Sequence, residues 1–474
     1  VALETEREIR EAACALLEAR RAEAADRLDA IHDAVRNKVN DIYVPAKATQ
    51  EYRRLVDQSR FNVLPLVITA IAQALYVDGY RPSSGGDSAV WDAVWQPNRM
   101  DARQAGLFRA AVQYGVSYAR VLPGVPAPVI TPLSPRRCTA LYEDPTADEW
   151  PELALVHLGG RRFVMYDDVM SYPITDPEEG EPKLTAGEGA GKHGLGVCPV
   201  VRFVDSYEDL DDGPCGKVEP LLPVQRQLNQ TTYSLLMAQQ YAAFRQRWVA
   251  GMTIEEDAQG RPIEPFDVGV DRMLHAEDAD ARFGEFGQTD LGGYLDSRDK
   301  ALLYIASTAQ IPPHNLVVGN AVSNISAEAL AALEAGHRQD VAEHQTSFGE
   351  SVEQMLRLAG RAMGDMEAWE DTSAEVVWRD TTPRSLAQVA DALGKLATQL
   401  DIPPRELWSR IPGVTQTEIE RWAGAADSRD GLADMAALLA TPAPGTDGEM
   451  EVDGGERAGA GVDAVPSAAG VAAR

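Results

Sequence analysis

The stretch best suited to chemistry in this chain is Gly187-Glu188-Gly189-Ala190-Gly191-Lys192-His193. A glycine-rich run ending in Lys can cradle a phosphate with its backbone N–H groups. The Walker A spacing requires a Gly where Ala186 stands, and a Ser or Thr where His193 stands. Pro182-Lys183-Leu184 supplies no strand before the run and Leu195-Gly196-Val197 no helix after it, so a mobile surface loop is expected. The seven histidines are His32, His157, His193, His275, His314, His337 and His344. None lies in an H-E-x-x-H motif. His337 and His344 share one helical face but are seven apart, where a helical metal pair uses three or four, so packing or an inter-subunit role is expected. Asp211-Asp212, Glu255-Glu256-Asp257 and Asp278/Asp280 are acid clusters of the kind that hold paired metals. They sit in loop-like stretches without convergent basic or aromatic residues and read as solvated. There is no G-x-S-x-G elbow and no defensible Ser/His/Asp or Cys/His arrangement. No catalytic residue, cofactor site or metal site is expected.

Composition narrows the classes further. The 474 residues carry 44 Lys+Arg against 73 Asp+Glu, a net charge of −29. A generic phosphate-neutralising DNA binder needs surplus Lys and Arg to release counterions, and an anionic membrane attracts the same excess. The acidity rules out the first and argues against the second, and DNA could be met only without blanket attraction. A hydrophobic content of 45% is enough for a sizeable core. Cys14, Cys138, Cys198 and Cys215 are scattered with no C-x-x-C pair, as expected of a protein made in a reducing compartment. No apolar leader follows the charged N-terminal residues, and no run reaches the 18 apolar residues of a membrane span.

The elements follow from pattern. Residues 1–37 are rich in Ala, Glu and Arg and predict a helix. Another helix is expected to run through Leu75 and close at Asp78-Gly79-Tyr80, with Gly79 as its cap. Strands are predicted at 117–122, 137–142, 153–158, 162–166 and 200–204, and residues 176–197 read as a flexible loop. From Val218 to Trp248, apolar or small residues recur at Leu221, Val224, Leu228, Thr231, Leu235, Ala238 and Ala242, one continuous helical face. An acidic excursion follows over 249–290, with eleven acids and three arginines. A second helix is expected over 291–309. A Pro/Asn/Gly loop then precedes the longest helix, about Ser326 to Ala362, striped by Leu330, Leu333, His337, Val341, His344, Phe348, Val352, Met355 and Ala359. A strand at 375–379 and three shorter helices, 384–400, 403–410 and 415–422, complete the ordered part. From Asp427 on, small and acidic residues dominate and disorder is expected.

The order of these stretches resembles the portal proteins of tailed bacteriophages, particularly those of long-tailed phages infecting actinobacteria. The resemblance is carried by Tyr52-Arg53-Arg54-Leu55, Arg60-Phe61-Asn62 and Leu75-Tyr76-Val77-Asp78-Gly79-Tyr80. It continues in Leu228-Asn229-Gln230 through Gln240-Tyr241-Ala242-Ala243-Phe244-Arg245-Gln246-Arg247-Trp248, and in Ile311-Pro312-Pro313-His314 through Ser326-Ala327-Glu328-Ala329-Leu330 to Phe348-Gly349-Glu350. Trp378-Arg379-Asp380 leading into Ser385-Leu386-Ala387 closes it. These stretches span roughly residues 50–425.

The resemblance implies an α+β, mainly helical chain with the portal architecture of wing, stem, clip and crown, assembled as a ring around a central channel. The implied division is a wing at 1–217, stem helices at 218–248 and 291–309 flanking a clip at 249–290, and a tunnel loop at 310–325. A long helix returning to the wing covers 326–382, a crown 383–425 and an acidic tail 426–474. It implies a non-enzymatic virion protein, assembled in host cytoplasm, in a ring of typically twelve subunits through which double-stranded DNA is packaged and ejected. Implied partners are the major capsid protein, scaffolding protein, terminase large subunit and head–tail connector; membrane and cofactors are absent from the expectation. Asn315, Val318, Gly319, Asn320, Ser323 and Asn324 would face DNA. Arg245, Arg247 and Lys300 are candidate stem contacts, with ordinary helix-surface or inter-subunit salt bridges as their other explanation. Glu255, Glu256, Asp257 and Asp271 are candidate clip docking residues. Another structural virion protein remains an alternative, and a packaging ATPase is disfavoured by the failed Walker A spacing.

Overall fold

The computed structural model describes residues 3, 5–39, 42–44, 50–85, 88–177, 181–185, 190–205, 213–243, 247–251, 280, 282–285, 290–316, 327–379, 386–411, 414, 418–419 and 421–427. The first helix, α1 (Glu6–Glu23), is set by a capping box. The Thr5 hydroxyl accepts from the Glu8 N–H, and the Glu8 carboxylate accepts from the Thr5 N–H. A π-helical stretch, Ala24–Leu28, leads into α2 (Asp29–Val35). Then come α3 (Gln50–Ser59), α4 (Leu64–Ala72), β1 (Val77–Arg81), α5 (Ala89–Val94) and α6 (Met100–Tyr114).

The strands β2 (Val116–Leu122), β3 (Val129–Leu133), β4 (Cys138–Leu141), β5 (Leu153–Gly159), β6 (Arg162–Tyr166), β7 (Met170–Thr175), β8 (Lys183–Leu184), β9 (Gly191–Lys192) and β10 (Val200–Val204) follow. After them lie α7 (Leu222–Ala243), β11 (Arg247–Ala250), β12 (Arg282–Glu285), α8 (Gly292–Thr308) and α9 (Ala327–Met363). The chain closes with α10 (Met366–Glu370), β13 (Glu375–Trp378), α11 (Leu386–Gln399) and α12 (Pro404–Leu407). The fold class is α+β with helix predominating, as expected.

Four layers are built by period-two alternation. One sheet runs β10-β2-β3; the other runs β4-β5-β6-β7, with β8 and β9 both on β7; all pairings are antiparallel. Val116 and Tyr118 of β2, Val200 of β10, Ala154 and Val156 of β5, and Val164 and Tyr166 of β6 meet between the sheets. The alternate residues Leu153, Leu155, Phe163 and Met165 face the other way, onto Ala13, Leu16 and Leu17 of α1. On the far side, Ala119, Val121, Val201 and Phe203 pack against α6 and α9. At the centre of that layer Phe108 stacks on Phe348 at 5.4 Å and meets Trp378 at 5.6 Å. Burying such rings contributes the largest apolar areas of this core.

Several elements differ from expectation. Asp78-Gly79-Tyr80 does not cap a helix. α4 ends at Ala72, and residues 77–81 pair with β13, Val77 opposite Trp378, with a bulge before Gly79. A partner strand 300 residues away supplies the hydrogen bonds, and no local pattern reports it. Residues 176–197 hold two short strands, because the edge of β7 offers free backbone groups to both. The helix expected to reach Trp248 ends at Ala243, since 247–250 pair with 282–285. β1, β3, β7, α5 and α6 were not anticipated. α9 matches the predicted longest helix within about one residue, and Val341, His344, Phe348, Val352, Met355 and Ala359 are buried as its stripe required. The predicted Ser326 cap, the 428–474 tail and Leu330 and Leu333 as packing residues lie outside the described residues.

Candidate functional site

α7 and α8 leave the layered body and return to it side by side. Their packing is rooted in an apolar cluster of Leu28, Ile31, Leu64, Val67, Leu221, Leu228, Leu302 and Ile305. This cluster ties both helices to α2 and α4. A second clamp comes from α3, whose Leu55 and Val56 meet Tyr233 of α7 together with Ile42. Gln225 of α7 locks this side: its Oε1 accepts from the Val63 N–H, and its Nε2 donates to the Phe61 carbonyl. The free ends of the pair are bridged by β11 and β12, with Arg247 opposite Glu285 and Ala250 opposite Arg282. On α8 Leu303 and Tyr304 remain exposed beside Lys300.

The chain enters this pair through a tight crossing. Gly115 ends α6 with φ +87°, a left-handed backbone that favours glycine. Gly216 passes directly against it: a Cβ on Gly216 would lie 2.5 Å from the Gly115 nitrogen and 2.8 Å from the Gln113 carbonyl oxygen. Around the crossing, the Lys217 N–H donates to the Val112 carbonyl at 2.9 Å and the Asp205 N–H to the Gly115 carbonyl at 2.8 Å. Arg27 donates to the Pro214 carbonyl at 2.9 Å and faces Glu219 at 3.4 Å.

A buried charged cluster lies beside the crossing. His344 Nε2 is 2.6 Å from Asp205 Oδ1, and His344 Nδ1 is 2.6 Å from the Asp340 carbonyl oxygen one turn earlier. Lys217 Nζ reaches Asp340 Oδ1 at 2.5 Å. The His344, Asp205 and Asp340 side chains are 2–3% exposed. Burial opposes the charge on His344, but the Asp205 carboxylate outweighs it and holds the imidazole above its ordinary value. Burial raises Asp205 as well. His337, by contrast, is pushed down by burial and faces the Gln310 backbone. The predicted packing role of His344 therefore takes the form of an ion pair with Asp205, 139 residues away, which spacing could not reveal. An Asp and a His four apart inside an otherwise apolar stripe were the available signal.

Among the other predicted residues, Asn315 is exposed in the helical turn Pro313–Asn315 that precedes α9. Lys300 is exposed on α8, with no carboxylate partner among the described residues. Arg247 lies on β11 rather than on a stem helix. Val318, Gly319, Asn320, Ser323, Asn324, Arg245, Glu255, Glu256, Asp257 and Asp271 lie outside the described residues. The glycine-rich run contributes Gly191 and Lys192 to a strand, and the His193 ring meets the Asp167 carbonyl at 3.1 Å. That part serves sheet closure rather than a phosphate cradle. No helix among the described residues is long and apolar enough to cross a membrane.

The family model described as "Phage portal protein, SPP1 Gp6-like" matches residues 14–431. The chain belongs to this phage portal family. It is 27% identical over 385 residues to the portal protein of Mycobacterium phage D29, covering 75% of this chain and 77% of that one. It is also 27% identical over 390 residues to the portal protein of Mycobacterium phage L5, with the same coverage. A chain from the neck of an empty GTA particle aligns at a TM-score of 0.48 and 15% identity, covering 77% of this chain and 94% of that one. Portal-family chains are structural components of virions rather than enzymes, as the sequence led one to expect.

Proposed function

We propose that this chain forms the homo-oligomeric portal ring of a tailed phage, through which double-stranded DNA enters and leaves the capsid. The observation that carries this is the α7–β11–β12–α8 excursion. Two helices project from a layered body, are bridged at their far end by a strand pair, and return to the body before the longest helix. In the ring, α7 and α8 are the stem and residues 249–290 are the clip, on which terminase and a head–tail connector dock through Glu255, Glu256, Asp257 and Asp271. Residues 310–325 form the tunnel loop and 383–425 the crown, with major capsid and scaffolding proteins around the 1–217 and 326–382 wing. Asn315, Val318, Gly319, Asn320, Ser323 and Asn324 line the channel, with Arg245, Arg247 and Lys300 as sparse cationic contacts.

Passage rather than binding follows from charge. No Lys or Arg lies between Gln310 and Asn324, so the loop meets phosphate without releasing counterions and each step stays mobile. The 11 acids and 3 arginines of the clip make it a docking face for basic partners. Negative-stain microscopy and native mass measurement test the assembly. The expected particle is a ring with an axial hole and, for twelve copies of 51.3 kDa, about 600 kDa. Monomers or hexamers at every concentration, or robust ATP turnover, would overturn the proposal. Deleting 318–324 should leave rings intact and impair DNA retention; loss of rings would make that segment a structural connection instead.

A further inference from the structure

The geometry points to a proton-dependent latch, made by Asp205, Lys217, Asp340 and His344, that clamps α9 to the start of the stem and to the end of β10. The four members come from three places in the fold. Asp205 follows β10, Lys217 leads into α7, and Asp340 and His344 lie one turn apart on α9. Ser347, one turn further on, donates to the Val204 carbonyl at 2.7 Å and extends the same seam. The edge of the His344 ring meets Phe348 at 5.8 Å, which places the latch against the aromatic centre of the core.

Charge balance makes the latch depend on one proton. With His344 protonated, two carboxylates face two cations and the buried cluster is neutral. Loss of that proton leaves two carboxylates and one ammonium, a net −1 in a dry site, where unpaired charge is costly. Asp340 Oδ2 has no hydrogen-bond partner among the described residues, and His344 Nε2 and Asp205 Oδ1 meet as a close charge contact rather than an aligned hydrogen bond, so no spare donor is at hand to absorb the change. The groups facing His344 are Asp205 before the stem and Asp340 and His337 on its own helix, while Lys217 and Cys215 act on Asp205 behind it. Cys215 is held neutral, its thiol raised by burial and by Glu219.

The sign follows from linkage. A histidine held above its ordinary 6.5 stabilises the fold fully below that value and ceases to do so as pH rises through its folded value. Asp205, raised by burial, acts in the same direction at lower pH, and its contribution is lost as pH rises through its own folded value. His337, lowered by burial, acts oppositely, and its effect is confined to pH below the ordinary value. Above pH 6.5 and below the range in which thiols ionise, the trend therefore belongs to His344.

The test uses the full chain, with 13C-labelled histidine for NMR titration and hydrogen exchange over residues 337–348 between pH 6.5 and 9. Three forms are compared: wild type, H344Q, whose amide can still donate to Asp205, and D205N, which removes the carboxylate that holds the proton. His344 should titrate above 6.5 in wild type and at or below 6.5 in D205N. Protection factors over 337–348 should fall at least tenfold more in wild type than in H344Q across that range. Equal pH dependence in all three forms, or a His344 that titrates at its ordinary value in wild type, would overturn the latch. If H344Q fails to fold, the titrations of wild type and D205N still decide. The test reads neither rings nor DNA, so its failure and a failure of the portal proposal are separate results.

Discussion

The Gly115–Gly216 crossing sets the start of the stem, and replacing Gly216 by Ala tests it directly. The new Cβ would lie 2.5 Å from the Gly115 nitrogen and 2.8 Å from both the Gln113 carbonyl carbon and oxygen, where ordinary contact begins at 3.4 Å. All of these are backbone atoms, so no side-chain rotation relieves the clash. The two segments must separate by about 0.9 Å, the difference between those distances. A 0.9 Å shift takes the 2.9 Å hydrogen bond from Lys217 to Val112 beyond bonding range. Overpacking costs ~1–3 kcal/mol, and the lost bond adds about 1 kcal/mol. The expected total is ~2–4 kcal/mol, a roughly 30- to 1,000-fold rise in local opening. Hydrogen exchange at the Lys217 amide reads this opening. The matched control is Gly213→Ala. Gly213 has φ +82° with open space around its Cβ position, so only the left-handed backbone penalty of about 1 kcal/mol applies. G216A and G213A with equal protection at Lys217 would refute the reasoning.

The remaining predictions concern the core and the seam between the chain's two ends. Phe348→Ala, which empties the centre of the Phe108–Phe348–Trp378 cluster, should cost ~3–5 kcal/mol by denaturant unfolding, and Phe348→Leu clearly less. Arg379 sits 3.9 Å over the Tyr76 ring and 2.6 Å from Asp78. A double-mutant cycle with R379M and D78N should give a coupling of about 1 kcal/mol, modest because the guanidinium is partly exposed; zero coupling would remove this seam as a contributor. Cys138 and Cys198 are buried, whereas Cys14 is half-buried and Cys215 exposed. A maleimide at neutral pH should therefore modify only Cys14 and Cys215 in the native protein, and all four thiols after unfolding; native labelling of Cys138 or Cys198 would contradict their burial.

Legibility from sequence followed the range of the forces involved. α9 could be read almost to its ends because its stripe from Val341 to Ala359 is a local periodic signal. Six strands were legible from short runs rich in Val, Leu, Tyr and Phe, the strand at 375–378 among them, a signal carried by neighbouring residues. β1 was not, because residues 77–81 carry Gly79 and Asp78 and become a strand only when β13 arrives. The end of α7 was misplaced for the same reason: 247–250 suit either a helix or a strand until 282–285 pair with them. Quoted separately as stretches of resemblance, Tyr76–Tyr80 and Trp378–Arg379 turn out to be one structural unit.

The sequence by itself determined that this acidic chain lacks the Walker A spacing and that two helical stretches flank an acidic excursion, while the portal reading came from resemblance to a known family. The first two depend on composition and on neighbours a few residues apart. Only the tertiary structure decided that Gly115 must cross Gly216, that His344 shares its charge with Asp205, and that Lys217 balances Asp340. Each of those joins residues more than a hundred positions apart, where burial, rather than spacing, selects the partner. An unpaired charge or an added methyl is costly only once the fold has excluded water and closed the space around it.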